Sequence, residues 1–198
     1  MNKCIYLVDV DGVIVTGRPS DCAPWWTDLE TTFGFDKTAL RAQFFAPYWH
    51  DIVRGRNALL PCLETALNRM GVRTDAITLR DFWFANDAYI DRDVCSWMDA
   101  RRATGHRVML ATNQDHSRGA YLLDELRLCD HCDGAYISAA LGAAKPEKAF
   151  FEAIMSAEGR AAHDLVLIDD SPANVDAAKS LGWKAHHYTG QAPSVFNQ

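Results

Sequence analysis

Short apolar runs that stop on polar residues recur along this 198-residue chain. Cys4 to Val8 stops at Asp9, Arg107 to Ala111 at Thr112-Asn113, and Leu165 to Ile168 at Asp169-Asp170. Runs this brief and this apolar predict strands buried on both faces. Ala135-Tyr136-Ile137 and a stretch near Ala185 to Tyr188 read as two further strands. Between them the chain predicts helices over Val94 to Ala103 with Gly105 as the stop, Ser117 to Leu128, Glu147 to Glu158 with Pro146 in its first turn, and Pro172 to Leu181 before Gly182. Alternation of this kind predicts an α/β fold, a Rossmann-like doubly wound parallel sheet with helices on both faces.

One segment breaks the alternation. Thr16-Gly17-Arg18-Pro19-Ser20 is a loop of turn formers, and Asp21 to Tyr89 contains no convincing strand. Asp36 is placed to cap a helix over Lys37 to Phe45 that Pro47 would end. A second helix is expected over Leu59 to Met70 with Gly71 as its stop, and a third from near Thr78 through Phe84. The chain therefore divides into a core of residues 1–15 and 91–198 and an inserted α-helical domain of residues 16–90. The aromatic residues of the insert read first as its core, although Trp25, Trp26, Tyr48 and Trp49 also offer flat faces to a sugar ring. The tail Gly190 to Gln198 carries no clear signal.

Composition narrows the setting. Hydrophobic content of 48% and charged content of 23% are those of an ordinary globular chain. A net charge of −6 argues against general nucleic-acid binding but not against a small anionic substrate met by a local cation. No apolar run has the roughly 20 residues that a membrane helix needs. Met1-Asn2-Lys3 leads straight into a strand, without the apolar stretch of an export signal, so a cytoplasmic location is expected. The six cysteines (4, 22, 62, 95, 129 and 132) then read as free thiols.

The chemistry lies at the strand ends. In an extended chain Asp9 and Asp11 project to the same side, at the carboxyl edge where open α/β sheets bind ligands. Asp-x-Asp-Gly is also a plain turn sequence. Side by side, however, two carboxylates repel, and a bound cation offsets them most simply; oxygen-only ligands suit Mg²⁺. Thr112-Asn113, Asp169-Asp170 and Lys145 at a helix entry add polar groups at the same edge.

These four stretches, in this order, resemble the four motifs of the haloacid dehalogenase-like hydrolase superfamily: Asp9-Val10-Asp11-Gly12-Val13, Leu110-Ala111-Thr112-Asn113, Lys145-Pro146-Glu147, and Ile168-Asp169-Asp170-Ser171-Pro172-Ala173-Asn174. The insert stands where that family places its C1 helical cap. The third and fourth motifs look most like the subgroup of bacterial sugar-phosphate phosphatases and the N-terminal phosphatase domain of soluble epoxide hydrolase. The resemblance implies a Mg²⁺-dependent phosphatase acting on a small phosphorylated molecule, as monomer or homodimer. It implies Asp9 as nucleophile and metal ligand, and Asp11 as acid and base with its main-chain carbonyl on the metal. Asp170 is the implied motif IV metal ligand, with Asp169 a second ligand or its support, and Asn174 is implied to hold a metal-bound water or to orient Lys145. Thr112 hydroxyl, Asn113 N–H and Lys145 are the implied phosphate contacts. A phosphomutase of the β-phosphoglucomutase type needs the same motifs. A 2-haloacid dehalogenase fits less well, because a halide leaves without a proton and such enzymes generally lack the second aspartate.

Other polar features carry less. Cys129-x-x-Cys132 has no second pair with which to complete a zinc site, so a surface loop is expected. Alternation sends one of His186 and His187 into the core. Arg54 and Arg56 read as solvated, although they would reach over the site if the insert folds across it.

Overall fold

A computed structural model of the chain describes residues 3–190. Residues 191–198, nearly all of the tail that carries no sequence signal, lie outside it. Among the described residues one parallel sheet of five strands is formed: β1 (Ile5–Val8), β2 (Arg107–Thr112), β3 (Ala135–Ile137), β4 (Leu165–Asp169) and β5 (Lys184–His187), in the order β3-β2-β1-β4-β5. The first strand is central, and the order reverses on either side of it. Alternation along β1 splits the core. Tyr6 and Val8 join Val94, Trp97, Met98, Leu110 and Ile168 on one face, whereas Ile5 and Leu7 join Met109, Phe150, Phe151, Ile154 and Leu167 on the other. This is the doubly wound Rossmann-like arrangement that the strand–helix alternation predicts.

The helices follow in chain order. In the inserted segment they are α1 (Leu29–Phe33), α2 (Lys37–Leu40), α3 (Ala46–Ile52), α4 (Leu59–Met70) and α5 (Ala76–Asn86). Around the sheet lie α6 (Arg92–Ala103), α7 (His116–Ala120), α8 (Ser138–Leu141), α9 (Lys148–Glu158) and α10 (Pro172–Ser180). Asp36 caps α2 by accepting from Ala39 N–H, as its position in the sequence suggests.

Two helical expectations need correction. Pro47 does not end a helix: α2 runs through a widened π turn, Arg41–Phe45, into α3, and Pro47 sits at the second position there. The turn breaks the ordinary hydrogen-bond ladder just before the proline, so the absent N–H and the ring are tolerated. The long helix expected over Ser117 to Leu128 is α7 followed by a second π turn, Tyr121–Glu125, and a left-handed Arg127 at φ 58° closes it.

The inserted helices share their own apolar cluster. Trp25, Leu29, Phe44, Ile52, Leu63, Leu67, Leu79 and Trp83 are buried in it, with Tyr121 of the sheet region packed alongside. Trp25 stacks on Trp83 at 5.1 Å between ring centroids. The two crossings between insert and sheet run side by side. Thr16 N–H donates to Tyr89 O (3.0 Å), Tyr89 N–H to Gly17 O (2.8 Å) and Asp91 N–H to Ile14 O (2.8 Å).

Candidate active site

The register of the sheet assembles the strand ends. Val8 pairs with Leu110 on one side and Ile168 on the other, so Asp9, Ala111-Thr112 and Asp169 emerge at one edge. Val10 N–H donates to Asp9 Oδ1 at 2.7 Å, which holds the carboxylate over the strand end. Lys145 arrives from the loop before α9. Its ammonium lies 2.9 Å from Asp9 Oδ1 and 2.6 Å from Asp169 Oδ2, fully buried between them. Asp169 Oδ1 also accepts from Asn174 Nδ2 and from Ser171 N–H, each at 2.9 Å.

Lys145 is itself held by Asn113. The Asn113 side chain donates to Lys145 O and accepts from Lys145 N–H, both at 2.8 Å. The side chain of Asn113 is thus engaged in fixing the lysine loop, a role that sequence reasoning, concerned with its backbone N–H, did not assign. Thr112 is buried beside it.

Asp9, Asp169 and Asp170 bring carboxylate oxygens within 4.8 Å of one another. An all-oxygen set of this kind fits a hard divalent cation. Gly12 makes room for the Asp170 carboxylate: at φ +81° a Cβ on residue 12 would lie 2.3 Å from Asp170 Oδ2. Asp11 stands apart from the trio, its side chain turned toward Gln114, whose Nε2 donates to Asp11 Oδ2 at 2.5 Å.

The electrostatics follow from this crowding. Burial pushes Asp9 up to about 8; Lys145 opposes it, and Asp169 and Asp11 add to it. Burial pulls the Lys145 ammonium down, but Asp9 and Asp169 outweigh that and hold it above its ordinary value. Protein packed around the Asp11 carboxylate raises it, although part of the residue faces solvent, and Arg118 and Gln114 work in the opposite sense. Asp170 is raised by desolvation and then by Asp169.

Beside this edge a cavity of about 360 Å³ is lined by Asp11, Gly12, Val15, Thr16, Trp25, Trp26 and Asp87, drawn from both the sheet and the insert. Asp87, pushed up to about 6 by burial and then by Asp11, pairs at 3.4 Å with Arg118. Arg118 is 1% exposed and donates to Phe84 O (3.2 Å) and Asp87 O, so a cation on α7 holds the end of α5.

Sequence reasoning missed Gln114 and Arg118. One polar residue in a loop and one arginine in a helix have no periodic signature. Arg54, expected to be solvated, is instead 8% exposed at its side chain and joined to Glu147 across the boundary between insert and sheet, whereas Arg56 is open to solvent and meets Asp51. Gly55 beside them, at φ +67°, lies so close to Ala139 O that a Cβ would approach to 2.4 Å. Cys129 is exposed and Cys132 buried, and neither His186 nor His187 enters the core because β5 is an edge strand.

A family model described as haloacid dehalogenase-like hydrolase matches residues 5–182. The chain belongs to that family. This haloacid dehalogenase-like hydrolase is 26% identical over 180 residues to the GMP/IMP nucleotidase YrfG of Escherichia coli, which covers 89% of this chain and 78% of that protein. Its fold matches a HAD family enzyme from Bacteroides thetaiotaomicron, solved with magnesium and inorganic phosphate, at a TM-score of 0.80, with 17% identity and 100% of both chains covered. It also matches the L-2-haloacid dehalogenase of Xanthobacter autotrophicus at a TM-score of 0.68, with 16% identity, covering 98% of this chain and 81% of that one. Among the described residues no helix is long and apolar enough to cross a membrane.

Proposed function

We propose that this hydrolase is a Mg²⁺-dependent phosphatase that cleaves a small phosphomonoester through an aspartyl-phosphate on Asp9. The observation that carries the reading is the pairing of two differently placed carboxylates on one strand end. Asp9 is buried on Lys145, and Asp11 faces the cavity next to Gln114. A halide needs no proton to leave, whereas an alkoxide does, so an acid placed as Asp11 is has a purpose in phosphate-ester cleavage and none in dehalogenation.

Asp9, Asp170 and the Asp11 carbonyl would hold Mg²⁺, with Asp169 as a further ligand or support. The all-oxygen trio and the elevation of Asp9 to about 8 both fit a site that awaits positive charge. When bound, the cation supplies charge neutralisation to the carboxylates and to the phosphoryl oxygens. Lys145 adds a fixed positive charge beside the nucleophile, and Asn113 keeps the lysine loop in place. Thr112 hydroxyl and the Asn113 N–H are the donors for the phosphate oxygens. The Asp9 carboxylate attacks phosphorus while Asp11 protonates the departing oxygen. Asp11, now ionised, then takes a proton from water as the water attacks phosphorus, and the P–O bond to Asp9 breaks to free the carboxylate and inorganic phosphate. The inserted helices act as a cap whose Trp25 and Trp26 wall the leaving-group side.

A sugar phosphate is the substrate class that the motifs suggest. A nucleoside monophosphate is the second reading. The nucleotidase relative favours it, and two tryptophans line the cavity wall, where their apolar rings suit a nucleobase. Phosphate release from a panel of sugar phosphates and nucleoside monophosphates, with Mg²⁺ and with EDTA, tests the proposal. Recovery of an isomerised sugar phosphate in place of free sugar would identify a mutase, and no phosphate release from any ester would overturn the reading.

A further inference from the structure

The contact between Gln114 and Asp11 lies outside every role assigned above. Gln114 is 2% exposed, and its main chain is held on both sides by the β3–α8 junction. Gln114 N–H donates to Ser138 Oγ at 3.0 Å, the same hydroxyl donates back to Gln114 O at 3.3 Å, and Ala139 N–H donates to Gln114 O at 3.2 Å. Gln114 therefore approaches Asp11 from a main chain anchored by three hydrogen bonds. Its side chain spends a donor on one particular oxygen, Nε2 to Oδ2 at 2.5 Å.

An amide N–H directed at one carboxylate oxygen makes that oxygen an acceptor. The proton of the acid form then belongs on the other oxygen. Asp11 itself lies within a tight turn, Val10 to Val15, in which Gly12 N–H, Val13 N–H and Ile14 N–H are all engaged with Val15 O or Val10 O. The backbone of residue 11 is thus fixed, and rotation of its side chain is the remaining freedom.

We infer that Gln114 is a positioning residue that holds Asp11 with Oδ2 turned toward the β3–α8 junction, so that Oδ1 delivers the proton to the leaving oxygen and later receives one from water. The inference rests on Asp11 being the acid of the proposed reaction. In the forward step the P–O bond to the leaving group breaks as its oxygen takes the Oδ1 proton, and Asp11 is left as the carboxylate that Gln114 stabilises. Holding a reacting group in its productive geometry matters because a displacement of about 1 Å can cost on the order of 10²-fold in rate.

The test is Gln114→Met, which keeps side-chain length and removes the donor. The expected result is a fall of about 10–100-fold in kcat/KM for an alkyl phosphate such as glycerol 2-phosphate, with p-nitrophenyl phosphate changed by less than about threefold, because p-nitrophenolate leaves without protonation. In an Asp11→Asn background the same substitution is expected to add nothing to the loss on the alkyl ester, since Gln114 acts through Asp11. Equal losses on both substrates, or losses that add in the double variant, would overturn the inference and mark Gln114 as structural. A crystal structure of Gln114→Met supplies a readout independent of turnover. Asp11 is expected to leave its present rotamer, and an unmoved Asp11 overturns the inference. Should the wild-type protein release phosphate from no ester, the phosphatase reading fails, while the rotamer still decides the positioning.

Discussion

Lys145→Met probes the site through stability as well as rate. Methionine keeps the unbranched stem and deletes the ammonium that now sits 2.6 Å from Asp169 and 2.9 Å from Asp9, both buried. Removing one partner of a buried ion pair typically costs about 3–5 kcal/mol, because the other charge stays behind uncompensated. For a chain of this size that corresponds to a fall of about 6–20 °C in Tm, taking about 2–4 °C per kcal/mol. The loss should grow as the pH rises through about 8. Above that pH the metal-free wild type ionises Asp9 next to its lysine, whereas the variant retains the proton and so forfeits stability with rising pH. Mg²⁺ should restore more stability to the variant than to the wild type, since it then offsets three carboxylates alone. Calorimetry in EDTA and in Mg²⁺, across this pH range, measures each quantity. A Tm within about 2 °C of wild type in EDTA, together with equal Mg²⁺ stabilisation of the two proteins, would refute the view that Lys145 neutralises this cluster.

Asp9→Asn should abolish turnover of p-nitrophenyl phosphate while leaving the circular dichroism spectrum unchanged; near-normal kcat would eliminate the aspartyl-phosphate. Chelation should stop hydrolysis and Mg²⁺ should restore it, with Ca²⁺ a poor substitute because it favours more ligands in looser geometry; full activity in excess EDTA is the contrary result. Gly12→Ala should weaken Mg²⁺ binding, measured by calorimetric titration, because its Cβ would meet Asp170 Oδ2 at 2.3 Å in a left-handed backbone; unchanged affinity would show that Asp170 is not a ligand. Asp87→Asn should flatten the pH dependence of metal-free stability between about 4 and 6. A buried carboxyl raised to about 6 keeps its proton in the folded state and loses stability as pH climbs through that window; an unaltered profile excludes Asp87 as its source.

The strand framework was legible because each core strand is an apolar run cut off by a polar residue, and burial on both faces leaves no other use for such runs. The same edge logic pointed to Asp9, Asp169, Asp170 and Lys145, which the fold gathers at one place. Helix continuity was harder to read. Pro47 signals a stop in isolation, but a π turn before it changes the hydrogen-bond ladder, and such turns leave no periodic trace in the sequence. Arg54 looked like a surface cation because arginine usually is one, and Arg118 carried no signal of its own. Their partners, Glu147 and the carbonyls of Phe84 and Asp87, lie far away in sequence, 93, 34 and 31 residues respectively. Gln114 belongs with them: its meaning lies 103 residues upstream at Asp11.

The paired crossings between insert and sheet have an evolutionary reading. Because the chain leaves the sheet at Ile14–Gly17 and returns hydrogen-bonded to the same residues at Ala88–Asp91, the whole excursion starts and finishes at one point. An excursion of that kind is exchangeable. It can lengthen, shorten or be traded for another while β1 keeps its neighbours and the carboxylates at its tip keep theirs. Selection on what enters the cavity can thus act on one stretch of chain and selection on bond cleavage on another, and a lineage can change what it hydrolyses without relearning how.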